Sequence, residues 1–427
     1  MRISSFGRCA LAVCAAVVLL SGCGGSQMGP PHPAHQVNGL SVLPATSETY
    51  KDLYSFKGGP DGEYPVAGLI VVHDMLYGTT LGSGCLSDCQ PGAAGTVFSV
   101  STNGSETVLY RFKGLPDAAA PTAALLDVNG TLYGTTQLGG TGCGSTGCGT
   151  VFSVKKSGSE RIVYSFKGGD DGEAPFASLI SANGELYGTT YFGGGSDECN
   201  GGCGTAFEVS TSGTERILHV FKGYPRDGAH PLGALFAANG MLYGTTWLGG
   251  GGSCTNGCGA AFEISTSGKE RVLHSFKGAP DGENPGGGLV SVNGSLYGTT
   301  TAGGTSEACP QFDGCGTFFS MSASGSETVL YSFPGGRNGA EPNGGLLSLD
   351  GLLFDTAEGG DKCPPSGRCG TIFDLSVSGE EHVLYRFRHE GFADPGSPLV
   401  AKDGLVYGTR GANGGTYNYG AVYSIEP

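Results

Sequence analysis

The chain is short of most features that would announce a catalyst or a partner of opposite charge. It holds one tryptophan and five methionines in 427 residues, and only 14% of it is charged. Basic residues are the scarcer sign, 23 Lys and Arg against 38 Asp and Glu, for a formal charge of −15. No basic block interrupts this balance. That excludes nucleic acid held by phosphate neutralisation, and electrostatic adhesion to anionic lipid. No nucleophile motif or phosphate loop occurs, since the Gly-rich segments follow apolar runs but open no helix. No cofactor and no metal is expected.

Long apolar runs are also missing, with one exception at the N-terminus. Residues 9–20 form a run of about a dozen residues behind Arg2 and Arg8, too short to span a bilayer as a mature helix. Leu20-Ser21-Gly22-Cys23 matches a bacterial lipobox. The resemblance to lipoprotein signals implies cleavage before Cys23 and a lipid on its sulfur; an ordinary secretory signal cut nearby is the alternative. Residues 1–22 are therefore read as a signal. Residues 23–47, rich in Gly, Pro, Ser and His, are read as the lipidated cysteine and a flexible tether. The folded domain is 48–427. It is placed in the cell envelope with acyl chains as the membrane contact. Gly24 in place of Asp favours the outer membrane or cell surface.

What the chain has in excess is glycine, 81 residues, mostly at fixed places in a repeat. Leu-Tyr-Gly-Thr-Thr occurs at 76–80, 132–136, 186–190, 242–246 and 296–300, and returns altered at 353–356 and 406–410. Its aromatic residue stands at 77, 133, 187, 243, 297, 354 and 407, a period of 53 to 57 residues. Such a period marks an array of like supersecondary units. In the unit 175–221, an apolar run at 176–182 is followed by Asn183-Gly184, a turn pair of hairpins, and a strand at 185–190. A Gly-rich loop with two cysteines leads to a third strand at 204–210. Ser212-Gly213 then turns into a fourth at 215–221. Unit one alone has His73-Asp74 at the Asn-Gly point.

Each unit thus predicts a four-stranded antiparallel meander, and one such sheet cannot bury both faces. A ring of sheets buries them and protects the edges. The prediction is an all-β, seven-bladed propeller. Residues 49–56 match a fourth strand and 420–425 a third, so the N-terminal strand should complete the last unit and close the ring. A linear solenoid would have no use for that arrangement. The long loops, 190–204 and 222–231 and their equivalents, should share one face, where function on repeat folds usually sits.

The succession Leu-Tyr-Ser-Phe, Gly-Gly-Leu, Leu-Tyr-Gly-Thr-Thr, Gly-Gly, Gly-Thr-Val-Phe, as at 54–98, resembles the GloVer-type tandem repeat of exported bacterial proteins. It is also distantly similar to kelch repeats, which implies a binding scaffold. The GloVer likeness implies no settled enzymatic role. The Cys–Tyr cross-link and His ligands of kelch-like copper oxidases are not apparent.

Cysteines outside the signal and anchor fall as close pairs: Cys85 with Cys89, Cys143 with Cys148, Cys199 with Cys203, Cys254 with Cys258, Cys309 with Cys315 and Cys363 with Cys369. In an exported chain these read as disulfides. Zinc held by four cysteines of two converging loops is the rival, and no histidine accompanies the pairs. Acidic turns at Asp61-Gly62, Asp171-Gly172, Asp227-Gly228 and Asp281-Gly282 read as backbone turns, with Ca²⁺ as the alternative; Asn338-Gly339 is their match. Lys57, Lys113, Lys167, Lys222 and Lys277 stand beside them to balance charge. His219 and His274 take a tyrosine's place and read as strand residues. The post-motif pairs Tyr191-Phe192 and Trp247-Leu248 break the repeat. They are candidate ligand contacts on neighbouring blades, with loop packing as the alternative. The expected function is a monomeric surface binding module for a glycan or a protein. The alternative is a carbohydrate hydrolase or lyase with acids converging on the axis.

Overall fold

The structure is a computed structural model and describes residues 50–82, 94–358, 370–387, 395–411 and 415–427. The signal, Cys23 and the tether lie outside the described residues. So do four of the expected disulfide cysteines, Cys85, Cys89, Cys363 and Cys369.

Seven four-stranded antiparallel sheets succeed one another along the chain, with no α-helix among the described residues. Blade one spans 70–111, two 126–165, three 180–220, four 236–275, five 290–332 and six 347–386. Blade seven takes three strands from 400–425 and its outer strand, Tyr50–Ser55, from the other end of the chain. At six of the seven junctions the short first strands touch one another, that of blade one meeting that of blade seven. They therefore surround the axis, and the ring is closed as the repeat implied.

The turns follow from the residues that make them. Asn183 and Gly184 have φ of 53° and 87°, and Asn129-Gly130, Asn239-Gly240, Asn293-Gly294, Asp350-Gly351 and Asp403-Gly404 match them, as a type I′ turn requires. His73 adopts φ 55° in blade one without an asparagine. The first strand is shorter than the 176–182 run suggested. Only Ile180–Ala182 pairs within the blade. The residues before it run between blades, where Ser178 Oγ accepts the Ala124 N–H at 3.0 Å.

The Tyr-Gly-Thr-Thr motif records how blades pack. A Cβ on Gly188 would stand 2.7 Å from the tip of the Phe207 ring on the next strand. Phe207 lies over this glycine and meets Phe166 of blade two edge-to-face at 5.1 Å. The same pair recurs at every junction: Phe56–Phe98, Phe112–Phe152, Phe221–Phe262, Phe276–Phe319, Phe333–Phe373 and Phe387–Tyr423. Each junction core draws residues from two blades, as where Leu218 and Phe221 meet Leu242 and Phe262. The second threonine ties its own sheet, Thr190 Oγ1 lying 2.8 Å from Thr205 Oγ1. The first reaches the next blade in several units, Thr245 donating to the Gly287 carbonyl at 2.9 Å and Thr409 to that of Ala67 at 2.9 Å, while Thr79 and Thr189 make no such bond.

The outer strands carry a bulge in every blade, at Val151/Phe152 in blade two for example, which adds twist. The Gly of the Ser-Gly turn answers to this feature. A Cβ on Gly213 would sit 2.4 Å from the carbonyl oxygen of Val163, in the bulged outer strand of the preceding blade.

Overpacking beneath the junction phenylalanine should cost about 1–3 kcal/mol. Gly188→Ala is expected to lose that much in chemical denaturation. An unchanged denaturation midpoint would show that the Phe207 ring is not seated on the glycine.

Candidate functional site

The two families of long loops do lie together, and they are joined more closely than plain loops. Gly172–Glu173 pairs with Phe192–Gly193, and Gly228–Ala229 with Leu248–Gly249, forming short ladders on the long-loop face. Within these loops Cys143–Cys148, Cys199–Cys203, Cys254–Cys258 and Cys309–Cys315 are disulfides. Pairing inside each loop leaves those thiols no part in a four-cysteine zinc site. The expected bonds of Cys85 with Cys89 and of Cys363 with Cys369 fall outside the described residues and stay expectations from the repeat. The second cysteine of each described pair anchors the segment that leads into the next inner strand. The Cys148, Cys203, Cys258 and Cys315 carbonyls accept the N–H of Ala174, His230, Asn284 and Glu341 at 2.8–2.9 Å.

Those four acceptors' partners share a left-handed backbone, as do Tyr64 and Ala120, with φ from 53° to 59°. Such a φ is uncommon outside glycine and persists only where the surroundings fix it. Here the carbonyls of these residues hold the N–H of the residue after Thr-Thr, as in Tyr191 to Ala174 at 3.1 Å and Trp247 to His230 at 3.1 Å. The pinned backbone brings three positions per blade together at the axis end of the long-loop face. Across the blades they read Tyr64, Val66, Leu81; Ala120, Thr122, Gln137; Ala174, Phe176, Tyr191; His230, Leu232, Trp247; and Asn284, Gly286, Thr301. These positions differ from blade to blade, as do the cysteine loops.

Blades three and four make this rim aromatic. Tyr191 stacks on His230 at 4.5 Å between centroids and meets Phe176 and Phe192 edge-on at 5.3 and 4.7 Å. His230 Nδ1–H donates to the Tyr191 carbonyl at 2.9 Å, and burial holds its pKa below the usual value, so the ring is neutral. Trp247 is half-buried, its carbonyl accepting from Asn284 Nδ2 at 2.8 Å. Gly286 stands beside its ring, where other blades have Val66, Thr122, Phe176 and Leu232. Leu248 instead packs into the core between blades three and four. Further out, a groove of about 660 Å³ between blades four and five is lined by Pro280, Glu283 and Asp313.

A second constellation lies between outer strands. At three junctions a tyrosine donates to the loop aspartate: Tyr54 to Asp61 at 2.8 Å, Tyr110 to Asp117 at 2.9 Å and Tyr164 to Asp171 at 2.9 Å. The aspartate also accepts the backbone N–H of Lys57, Lys113 or Lys167 at 2.8–3.0 Å. The lysines therefore contribute through the main chain, while their ammonium groups lie over the tyrosine rings. Glu106, Glu160 and Glu215, from the next blade, complete each group. Burial first, and then the neighbouring aspartate, push these three up to about 7. The sequence reading missed this glutamate series, although it recurs at the start of every outer strand from blade one to six. It also missed Asp117, which Ala118 rather than Gly follows. The acidic turns are thus turns and junction staples together. At two junctions His219 and His274 replace the tyrosine, and at another Asn338 replaces the aspartate and donates to Glu381 at 2.8 Å.

The altered motifs mark a third place. Asp355 stands where other blades have the motif glycine, fully buried, accepting from the Thr356 N–H at 2.7 Å and Thr299 Oγ1 at 3.3 Å. Burial pushes its carboxyl up to about 7. In blade seven Arg410 takes the second threonine's place and pairs with Asp52 at 2.6 Å.

These features define a repeat-built propeller whose blades share one frame and differ at one end of the axis. The chain belongs to the Gloeobacter/Verrucomicrobia repeat family, whose model matches residues 40–201 and 196–423. No curated protein matches it. Solved structures similar to it include a Lactobacillus plantarum protein at 12% identity, covering 76% of this chain and 84% of that one, with a TM-score of 0.45. An α-L-arabinofuranosidase from Fusarium graminearum is 12% identical, covering 75% and 95%, with a TM-score of 0.44. A luciferin-regenerating enzyme is 12% identical, covering 86% and 92%, with a TM-score of 0.39. At these scores the likeness carries no inference about ligand or reaction.

A carboxyl whose pKa is raised on folding stabilises the fold while protonated, and that contribution is lost as pH rises through the folded value. Thermal stability should therefore fall between about pH 5 and 8 through Glu106, Glu160 and Glu215, whose unfolded values lie near 4.3. Replacing all three by Gln should flatten that slope. Parallel melting profiles for variant and parent would show that these groups do not titrate there.

Proposed function

We propose that this chain is a binding module of the cell envelope that engages a glycan, or an extended protein segment, through the axis end of its long-loop face. The observation that carries this reading is the aromatic cluster that blades three and four place there, on a disulfide-braced frame. Tyr191, Phe192, Phe176 and Trp247 supply aromatic faces against which sugar rings pack, with His230 buried beneath Tyr191. The four disulfides support an oxidising compartment. Together with the Cys23 lipobox they support export and anchoring by acyl chains.

The hydrolase or lyase reading draws no support from the paired carboxylates. Those pairs recur at junction after junction among the outer strands, as a structural staple would. Of the acids outside that series, Asp355 is fully enclosed.

The full chain should give a saturable hit on a glycan array, and that glycan should shift the emission of Trp247, the sole tryptophan. Trp247→Ala is expected to weaken binding at least about tenfold. An unaltered affinity in that variant would remove Trp247 from the binding surface. Release of a product from the bound glycan would move the assignment to the enzyme.

A further inference from the structure

The junction staple changes chemistry at two adjacent places. Where blades three and four meet, His219, Asp227 and Glu270 converge; where four and five meet, His274, Asp281 and Glu327 do. In each group one imidazole nitrogen and one oxygen of each carboxylate all lie within 4.8 Å of one another. His219 Nε2 is 3.1 Å from Asp227 Oδ2, and His274 Nε2 is 3.4 Å from Asp281 Oδ2. Two ligands on a tetrahedral ion at about 2.0–2.1 Å stand about 3.3–3.4 Å apart, so these separations fit shared coordination with little movement.

We propose that these two clusters bind divalent transition ions of the zinc class, one at each junction, as clasps between neighbouring blades.

The donor sets suit such an ion. A neutral imidazole and two carboxylates bring a charge of −2, which one divalent ion neutralises. The aspartates are already aimed: Asp227 Oδ1 accepts the Gly228 N–H at 2.7 Å and Asp281 Oδ1 the Gly282 N–H at 2.7 Å. Main-chain donors from Lys222 and Lys277 hold the other oxygens at 2.9 and 3.1 Å. Orienting bonds of this kind fix a ligand before an ion arrives. Glu270 Oε1 and Glu327 Oε1 are buried without a hydrogen-bond partner. The histidine side chains keep 15% and 14% of their exposure, enough to admit a small ion.

The other junctions are internal controls. Their glutamates leave the same Oε1 unsatisfied, but their aromatic partner is a phenol. Burial and the adjacent carboxylates hold Tyr54, Tyr110 and Tyr164 far above their usual pKa, so none offers a phenolate ligand. Histidine appears only where both Asp and Glu are kept. Where Asn338 stands, tyrosine remains.

The test uses the full chain stripped with a chelator, titrated calorimetrically with Zn²⁺, and followed with Co²⁺ by visible absorption. Two equivalents should bind per chain, each raising the melting temperature. His219→Tyr and His274→Tyr, which install the residue of the sister junctions and so should fold, should each remove one equivalent. The double variant should remove both. Absence of binding by the parent would overturn the proposal and leave two His–Asp hydrogen bonds. Binding that survives in the double variant would overturn it too, by placing the ion elsewhere.

Discussion

The structure depends on a phenylalanine from one blade set edge-on against an aromatic ring of the next, a phenylalanine at six junctions and Tyr423 at the seventh. That ring lies over a glycine in every blade but the sixth, where Asp355 stands. Edge-to-face pairs at about 5 Å gain from opposed quadrupoles as well as from burial. Because the contact recurs at each junction, it sets the spacing of blades around the axis. The strand motif follows from it. Glycine clears the ring, one threonine ties the sheet to its neighbour strand, and in blades such as four and seven the other reaches across to the next blade. Residues that look like a monotonous signature are each answering to one neighbour.

A frame fixed at every junction gives freedom elsewhere. Left-handed backbones and main-chain carbonyls, four of them from cysteines, hold the axis-end segments in one shape whatever side chain they carry. Tyrosine, alanine, histidine, asparagine and glutamate can therefore occupy one backbone position in successive blades. This is how a repeat protein acquires a differentiated surface without altering its fold.

Much of the architecture was legible in the sequence, because hairpin turns and strand periods are local signals. Asn183-Gly184 gave its turn type through the positive φ it needs, and the unmatched strands at the two ends gave the closure. The first strand is shorter than its apolar run, since residues 176–182 do not reveal that Ser178 bonds across to Ala124. The staples were illegible for a similar reason. Glu160 lies some fifty residues from Tyr110, and at the start of a strand it reads as a solvated charge. His219 and His274 do lie on strands, but periodicity says nothing of an aspartate seven or eight residues further along. Tyr191 and Trp247 stood out only as departures from the repeat. Their neighbours Phe176 and His230 needed the fold to be seen beside them.

The seam in blade seven differs from every other junction. Tyr50 replaces the staple glutamate and stacks on Tyr385 at 4.2 Å, and Asp52 meets Arg410. Six blades are assembled from hairpins of adjacent chain, whose loops close cheaply. The seventh must bring residue 50 to residue 425 across nearly the whole polypeptide. Ring closure is thus the contact of highest sequence separation and the natural last step of folding. Until it forms, the third strand of blade seven has a bare edge. The singular chemistry at the seam then acts as an address, telling one outer strand among seven where it belongs.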